Sequence, residues 1–226
     1  MISVKGIDIK EYLLAEMDDQ IEKSSSLLRF SEKELVKYNE LLKHFKDVNG
    51  SGATNEEKGK ALEDLVNYII DKSVIFEGYK NVRTSSNEID ILIRLSKKGN
   101  FLKAQGLIII QDNFLAECKN YNSSVSSTWV GKFSSLMNYT QNQLGILFSY
   151  HGLSGSGWND ATGLTKKLLL SDKKTYIIDF NFNDFEQLAN GKSFNELIID
   201  KMFALKNDIS FSHLITSHPN QNLIKP

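Results

Sequence analysis

Residues 7 to 47 contain no glycine. Leucine or isoleucine recurs every seven positions at Leu14, Ile21, Leu28, Leu35 and Leu42, with Met17, Ser24, Ser31, Tyr38 and Phe45 at the complementary position. A seven-residue apolar repeat is a helical seam. Two serines thin its middle, and Ser31 with Glu34 makes a capping box, so one continuous helix and a hairpin broken near residue 30 are both open readings. The stretch 48–55, VNGSGATN, has the small polar make-up of a hinge. From 55 to 71, Ala61, Leu62, Leu65, Val66, Ile69 and Ile70 fall at helical spacing, with Asn55 as N-cap and Glu56 and Glu57 where the helix dipole favours them. Three apolar or alternating runs of strand length follow at 75–82, 88–95 and 107–118, the last interrupted near 111–113, and SKKGN at 96–100 reads as a polar turn. The pattern then predicts an amphipathic helix over 125–143, a buried strand over 144–150 and a Gly/Ser loop. Beyond the loop it predicts a helix over 159–170, a strand over 175–180, and helices over 182–190 and 193–206.

The predicted class is α/β, with a central mixed sheet flanked by helices. The expected divisions are an N-terminal helical hairpin or coiled-coil region over 1–54, a main domain over 55–208 and a polar tail over 209–226. Both prolines lie in the last eight residues, so these boundaries come from glycine, serine and hydrophobic period.

Composition narrows the classes. A chain of 226 residues that is 41% hydrophobic and 24% charged is neither disordered throughout nor collagen-like. Its formal charge of -1 offers no bulk positive field for nucleic acid, so an anionic partner must be met by local charge or a metal. Cys118 is the single cysteine, which excludes an internal disulfide, a zinc finger and a CxxC centre. Without a secretory signal or an 18-residue apolar run, a cytoplasmic protein with no membrane partner is expected.

The informative strand reads FLAECK, 114–119. Strand alternation puts Glu117 and Lys119 on one face and Ala116 and Cys118 on the other. In the preceding strand, NEIDILI puts Glu88 and Asp90 on one face and Ile89, Ile91 and Ile93 on the core-facing one. If the two strands pair, Asp90, Glu117 and Lys119 converge. Paired carboxylates suit a hard divalent cation such as Mg²⁺, and a lysine beside them suits the negative charge that grows as a phosphodiester is hydrolysed. Glu63, on the opening helix, is a third carboxylate for the same site.

In this order the residues resemble the PD-(D/E)xK nuclease superfamily, and most of all Mrr-like restriction endonucleases: a helix with Glu63, a strand with Glu88-Ile89-Asp90, a strand with Glu117-Cys118-Lys119, then a helix and a strand. The resemblance covers about residues 55 to 180. It implies a restriction-endonuclease-like αβββαβ core and a Mg²⁺-dependent DNA endonuclease of restriction or defence type, with Mn²⁺ as a substitute ion. By motif position, Asp90, Glu117 and the Cys118 main-chain carbonyl would be the metal ligands, Lys119 the catalytic lysine and Glu63 the helix carboxylate. Asn87 stands where many relatives have glycine, and the superfamily's proline is absent.

Other candidates are Glu88 and Lys132 as accessory residues, and Lys166, Lys167, Lys173 and Lys174 for a DNA backbone. Trp129, Phe133, Leu136 and Met137 read as core. The loop GLSGSG lacks the Gly-Lys-Ser/Thr of a phosphate-binding Walker loop. Double-stranded DNA is the expected partner, with RNA still open, and the N-terminal seam suggests a homodimer. Two other classes stay open: a catalytically silent nucleic-acid-binding or regulatory module on the same fold, and a helical scaffold working through residues 7–47.

Overall fold

The computed structural model describes residues 3–4, 7–83, 88–155, 157 and 159–209. Two short strands, β1 (Ser3–Val4) and β2 (Ile7–Asp8), pair antiparallel ahead of helix α1 (Ile9–Ser26). Helix α2 (Glu32–Gly50) follows a break at 27–31. Ser31 caps it, accepting from the Glu34 N–H while the Glu34 carboxylate takes the Ser31 N–H, so the segment breaks near residue 30 and is not one continuous helix. Helix α3 (Asn55–Lys72) is capped by Thr54, one residue before the expected Asn55, because Thr54 and Glu57 complete the reciprocal pair of bonds.

Strands β3 (Phe76–Arg83) and β4 (Glu88–Leu95) lead into α4 (Lys97–Ala104), which occupies the predicted SKKGN turn. Ser96 starts this helix by accepting the Gly99 N–H. The predicted run 107–118 yields a strand only at β5 (Asn113–Cys118). Ahead of it, Ile108 and Ile110 are buried while Leu107 and Ile109 are exposed, an alternation that forms no ladder with a strand among the described residues. Then come α5 (Ser127–Thr140), β6 (Leu144–Phe148), α6 (Ala161–Asp172), β7 (Tyr176–Phe180), α7 (Phe182–Ala189) and α8 (Phe194–Asn207). The tail from 210 lies outside the described residues.

The main sheet has the order β3-β4-β5-β6-β7. The first three strands form an antiparallel meander, and β6 and β7 join parallel to β5 through the crossover segments carrying α5 and α6. Helices cover both faces. On one, Phe114, Ala116, Ile146, Phe148, Ile178 and Phe180 pack with residues of α2, α3, α7 and α8; on the other, Leu115, Leu147 and Ile177 pack with α5 and α6. Tyr38, Leu42 and Phe45 bring α2 into the first core, and the Tyr38 hydroxyl donates to the Phe185 carbonyl at 2.8 Å. Helix α1 has no buried residue, and Leu14, Met17 and Ile21 stay 50–59% exposed. No helix among the described residues is long and apolar enough to cross a membrane.

One strand departs from simple alternation. Ile91 and Ile93 pack in the first core as expected, but Ile89 lies in the second. Asn81, which the register sets opposite Asp90, has a left-handed φ of 50°.

Candidate active site

The site lies where β4 begins and β5 ends. Ile91 faces Ala116 and Leu92 faces Leu115, so one further step of the same register sets Asp90 opposite Glu117. Antiparallel strands bring opposed residues to within about 5 Å, close enough for two carboxylates to share a cation. Lys119 Nζ sits 2.6 Å from Glu117 Oε1 and 3.6 Å from Asp90 Oδ2. Asp90 Oδ2 also accepts the Cys118 N–H at 3.3 Å. In an extended strand the N–H and C=O of one residue point the same way, so the Cys118 carbonyl is directed to the Asp90 side as well.

Burial shapes the charges. The Glu117 and Lys119 side chains keep only 15% and 17% of their surface exposed, against 35% for Asp90. Desolvation raises the Glu117 carboxyl above its ordinary value; the hydrogen bond from Lys119 pulls it down and the Asp90 charge pushes it further up. For Lys119, desolvation alone would lower the ammonium, but the Glu117 hydrogen bond and the charges of Glu117 and Asp90 prevail and raise it. The lysine is therefore a firmly held cation. Cys118 packs against the first core, and burial, followed by the Asp90, Glu63 and Glu117 charges, pushes its thiol well up. Its environment disfavours the thiolate.

Among the described residues no three His, Cys, Asp or Glu side chains form a ready metal site. The donors that do meet are two carboxylates and a carbonyl, a hard-oxygen set that fits Mg²⁺, an ion that retains several of its own waters. Only one cation now compensates two adjacent carboxylates, which is the electrostatic condition for taking up another.

Of the other predicted residues, Glu63 is exposed on α3, near enough to bear on the Cys118 thiol but with no bond to Asp90, Glu117 or Lys119 among the described residues. Glu88 opens β4, and its side chain lies outside the described ones. Lys132 rests over the Trp129 ring at 4.5 Å, not on Glu117. Lys166 is paired with Asp208, and Lys167 bonds Asn159 Oδ1 at 3.4 Å. Lys173 and Lys174 stand between α6 and the start of β7. Because β5, β6 and β7 run parallel, that turn is at the opposite edge of the sheet from Glu117 and Lys119, about 15 Å away for a five-residue strand. These two lysines are thus not beside the centre. In the Gly/Ser loop, the Asp160 carboxylate takes the Gly157 N–H, so a negative group stands there.

Sequence reasoning missed three features. Trp129, read as core, does pack against the second core, but it is only partly buried, carries Lys119 Nζ at 5.0 Å over its ring, and has the Tyr121 ring 6.1 Å away at 28°. The segment after β5 is pinned to α3, since Lys58 Nζ donates to Asn122 Oδ1 at 2.6 Å and Asn120 donates to the Lys58 carbonyl at 2.8 Å. Third, Lys201 of α8 is buried against Asp184 at 2.8 Å and Asp179 at 3.6 Å. A charged residue on an apolar helix face, as in LIIDKMFAL, is the one signal that could have revealed that last group. Compared with known protein families, characterised proteins and solved structures, the chain finds no match, which leaves the geometry at Asp90, Glu117 and Lys119 as the ground for a functional reading.

Proposed function

We propose that the chain is a Mg²⁺-dependent DNA endonuclease of restriction or defence type, hydrolysing phosphodiester bonds at the β4–β5 site. The observation that carries this reading is the Asp90–Glu117 pair with the Lys119 ammonium held against both. The order α3, antiparallel meander, α5, parallel β6 supports a restriction-endonuclease-like core, since it is the αβββαβ succession such a core requires.

Asp90, Glu117 and the Cys118 carbonyl would hold Mg²⁺ or Mn²⁺, which would supply charge neutralisation on the phosphate and acidification of the attacking water. Lys119 donates to a non-bridging oxygen of the scissile phosphate and stabilises the charge that grows there. Pinning of 120–122 to α3 keeps Lys119 from following the substrate out. Glu63 orients water from the α3 side. Plasmid DNA incubated with the purified chain should be nicked or linearised with Mg²⁺ and left intact with EDTA or by Asp90→Ala; cleavage equal in all three would end the proposal.

The buried thiol makes a further expectation. Cys118→Ala or Cys118→Val should retain most of the wild-type cleavage, because only main-chain atoms of this residue face the site. A folded variant without activity would show that the strand face is misassigned.

The bare apolar stripe of α1 supports pairing of two protomers, an arrangement suited to cutting both strands. An isolated helix of this length is marginal in water without a partner for its apolar side. Light scattering at micromolar concentration should give twice the chain mass, and Met17→Glu with Ile21→Glu should give the monomer. A wild-type monomer would refute the pairing.

A further inference from the structure

We infer that Tyr121, Trp129 and Lys132 form a nucleotide subsite beside the catalytic centre, one that takes an unpaired base next to the scissile phosphate; this rests on the nuclease reading above. A tryptophan that serves only as core is covered by hydrocarbon. Trp129 packs against the second core but also has two ammonium groups over its ring, Lys119 at 5.0 Å and Lys132 at 4.5 Å, and the Tyr121 ring beside it. Both aromatic residues are half-buried and Lys132 is exposed, so each keeps surface open to solvent. Among the described residues Lys132 has no carboxylate partner; the ring is what it rests on.

These groups match the parts of a nucleotide. An aromatic surface stacks on any base, and a lysine on a flexible stem can exchange a ring for a phosphate oxygen by a small rotation. The shelf is also fixed in place: Trp129 sits in the first turn of α5, and Tyr121 lies between Asn120 and Asn122, both bonded to Lys58. Its contact with Lys119 sets it next to the phosphate being cut. Bases within a duplex are paired and stacked on both faces, so only an unpaired nucleotide can present a face to this shelf. Stacking barely distinguishes bases, so the subsite selects for strand state and not for sequence.

The test uses the full chain carrying Asp90→Ala to prevent cleavage, with a fluorescein-labelled single-stranded oligonucleotide and the matching duplex followed by anisotropy. The parent should bind the single strand more tightly. Trp129→Leu and Tyr121→Leu should each weaken that binding about tenfold with little effect on the duplex, and Trp129→Phe and Tyr121→Phe should restore most of it. Lys132→Gln should lower the salt dependence of single-strand binding by roughly one phosphate contact. Tyr121 is on a loop outside both cores, so its variants remain informative should Trp129→Leu unfold. Leucine variants that bind the single strand as the parent does, or that lose duplex binding equally, overturn the subsite. If that happens while the wild type still cleaves plasmid with Mg²⁺, only the subsite fails; a wild type that neither cleaves nor binds removes the nuclease reading with it.

Discussion

Lys119→Ala is expected to slow Mg²⁺-dependent cleavage roughly a hundred- to a thousandfold, the usual cost of removing one preorganised donor from a developing anion. Three neighbours fix this ammonium, Glu117 at 2.6 Å, Asp90 at 3.6 Å and the Trp129 ring at 5.0 Å, so little reorganisation remains to be done at the moment of reaction. The loss should fall on the rate constant and leave DNA affinity within a few fold, because Lys119 is largely engaged by carboxylates before the substrate arrives. Lys119→Arg keeps the charge but carries it on a planar fork that cannot take the same place between Glu117 and Trp129, and it should recover only a small part of the rate. Glu117→Gln differs in kind: it keeps shape and loses charge, so its activity should return in part at raised Mn²⁺ concentration. A Lys119→Ala variant cleaving at the wild-type rate would remove this lysine from the mechanism.

Lys201→Met is expected to cost about 3–5 kcal/mol of folding stability near neutral pH, the range for stripping one partner from a buried ion pair. The residue is buried on α8, with Asp184 of α7 at 2.8 Å and Asp179 of β7 at 3.6 Å, so its removal leaves the buried Asp184 carboxylate beside the partly exposed Asp179 with no cation between them. In the wild type, burial already pushes the Asp184 carboxyl up to about 6, with the Lys201 charge pulling it back and the Asp179 charge adding to the rise. A carboxyl whose folded value exceeds its unfolded value of about 3.9 binds its proton more tightly in the fold, so its contribution is greatest at low pH and fades between about pH 4 and 6. Without Lys201 that window moves upward, and Lys201→Met should regain stability on going from about pH 7.5 to about pH 5. The double variant Asp184→Asn, Lys201→Met, which removes a charge of each sign, should be more stable than Lys201→Met alone. Urea unfolding at both pH values measures all of this, and a Lys201→Met curve superimposable on the wild type would mean the pair contributes nothing.

The chemistry was legible wherever it depended on alternation within one strand. Glu117 and Lys119 meet because alternation through β5 carries one residue past its end at Cys118, where the Lys119 N–H still bonds the Phe148 carbonyl of β6. The break at Ser31 was legible because a capping box is written in four consecutive residues. What escaped was set by partners elsewhere in the chain. Ile89 packs in the second core while Ile91 and Ile93 pack in the first, a change of side that falls next to the left-handed Asn81 backbone on the neighbouring strand. The segment 107–112 alternates like a strand but finds no strand to pair with, and SKKGN becomes a helix once Ser96 turns its hydroxyl onto the Gly99 N–H. Lys173 and Lys174 form a basic cluster in sequence, yet the parallel run of β5 to β7 carries them to the far edge of the sheet. Trp129 does pack against the second core as its spacing predicts, but spacing reports which residues share a helix face, not which cations will settle on one of them.

The change from meander to parallel crossovers also orders events in time. Pairing β4 with β5 closes only the segment 96–112, whereas β6 and β7 must wait for 119–143 and 149–175 to fold back across the sheet. Closing longer segments costs more chain entropy before any contact repays it, so Asp90 and Glu117 should meet early in refolding and Lys201 should reach Asp179 late. A mutation at the late pair would then act mainly on the unfolding arm of the chevron, leaving the refolding rate almost unchanged.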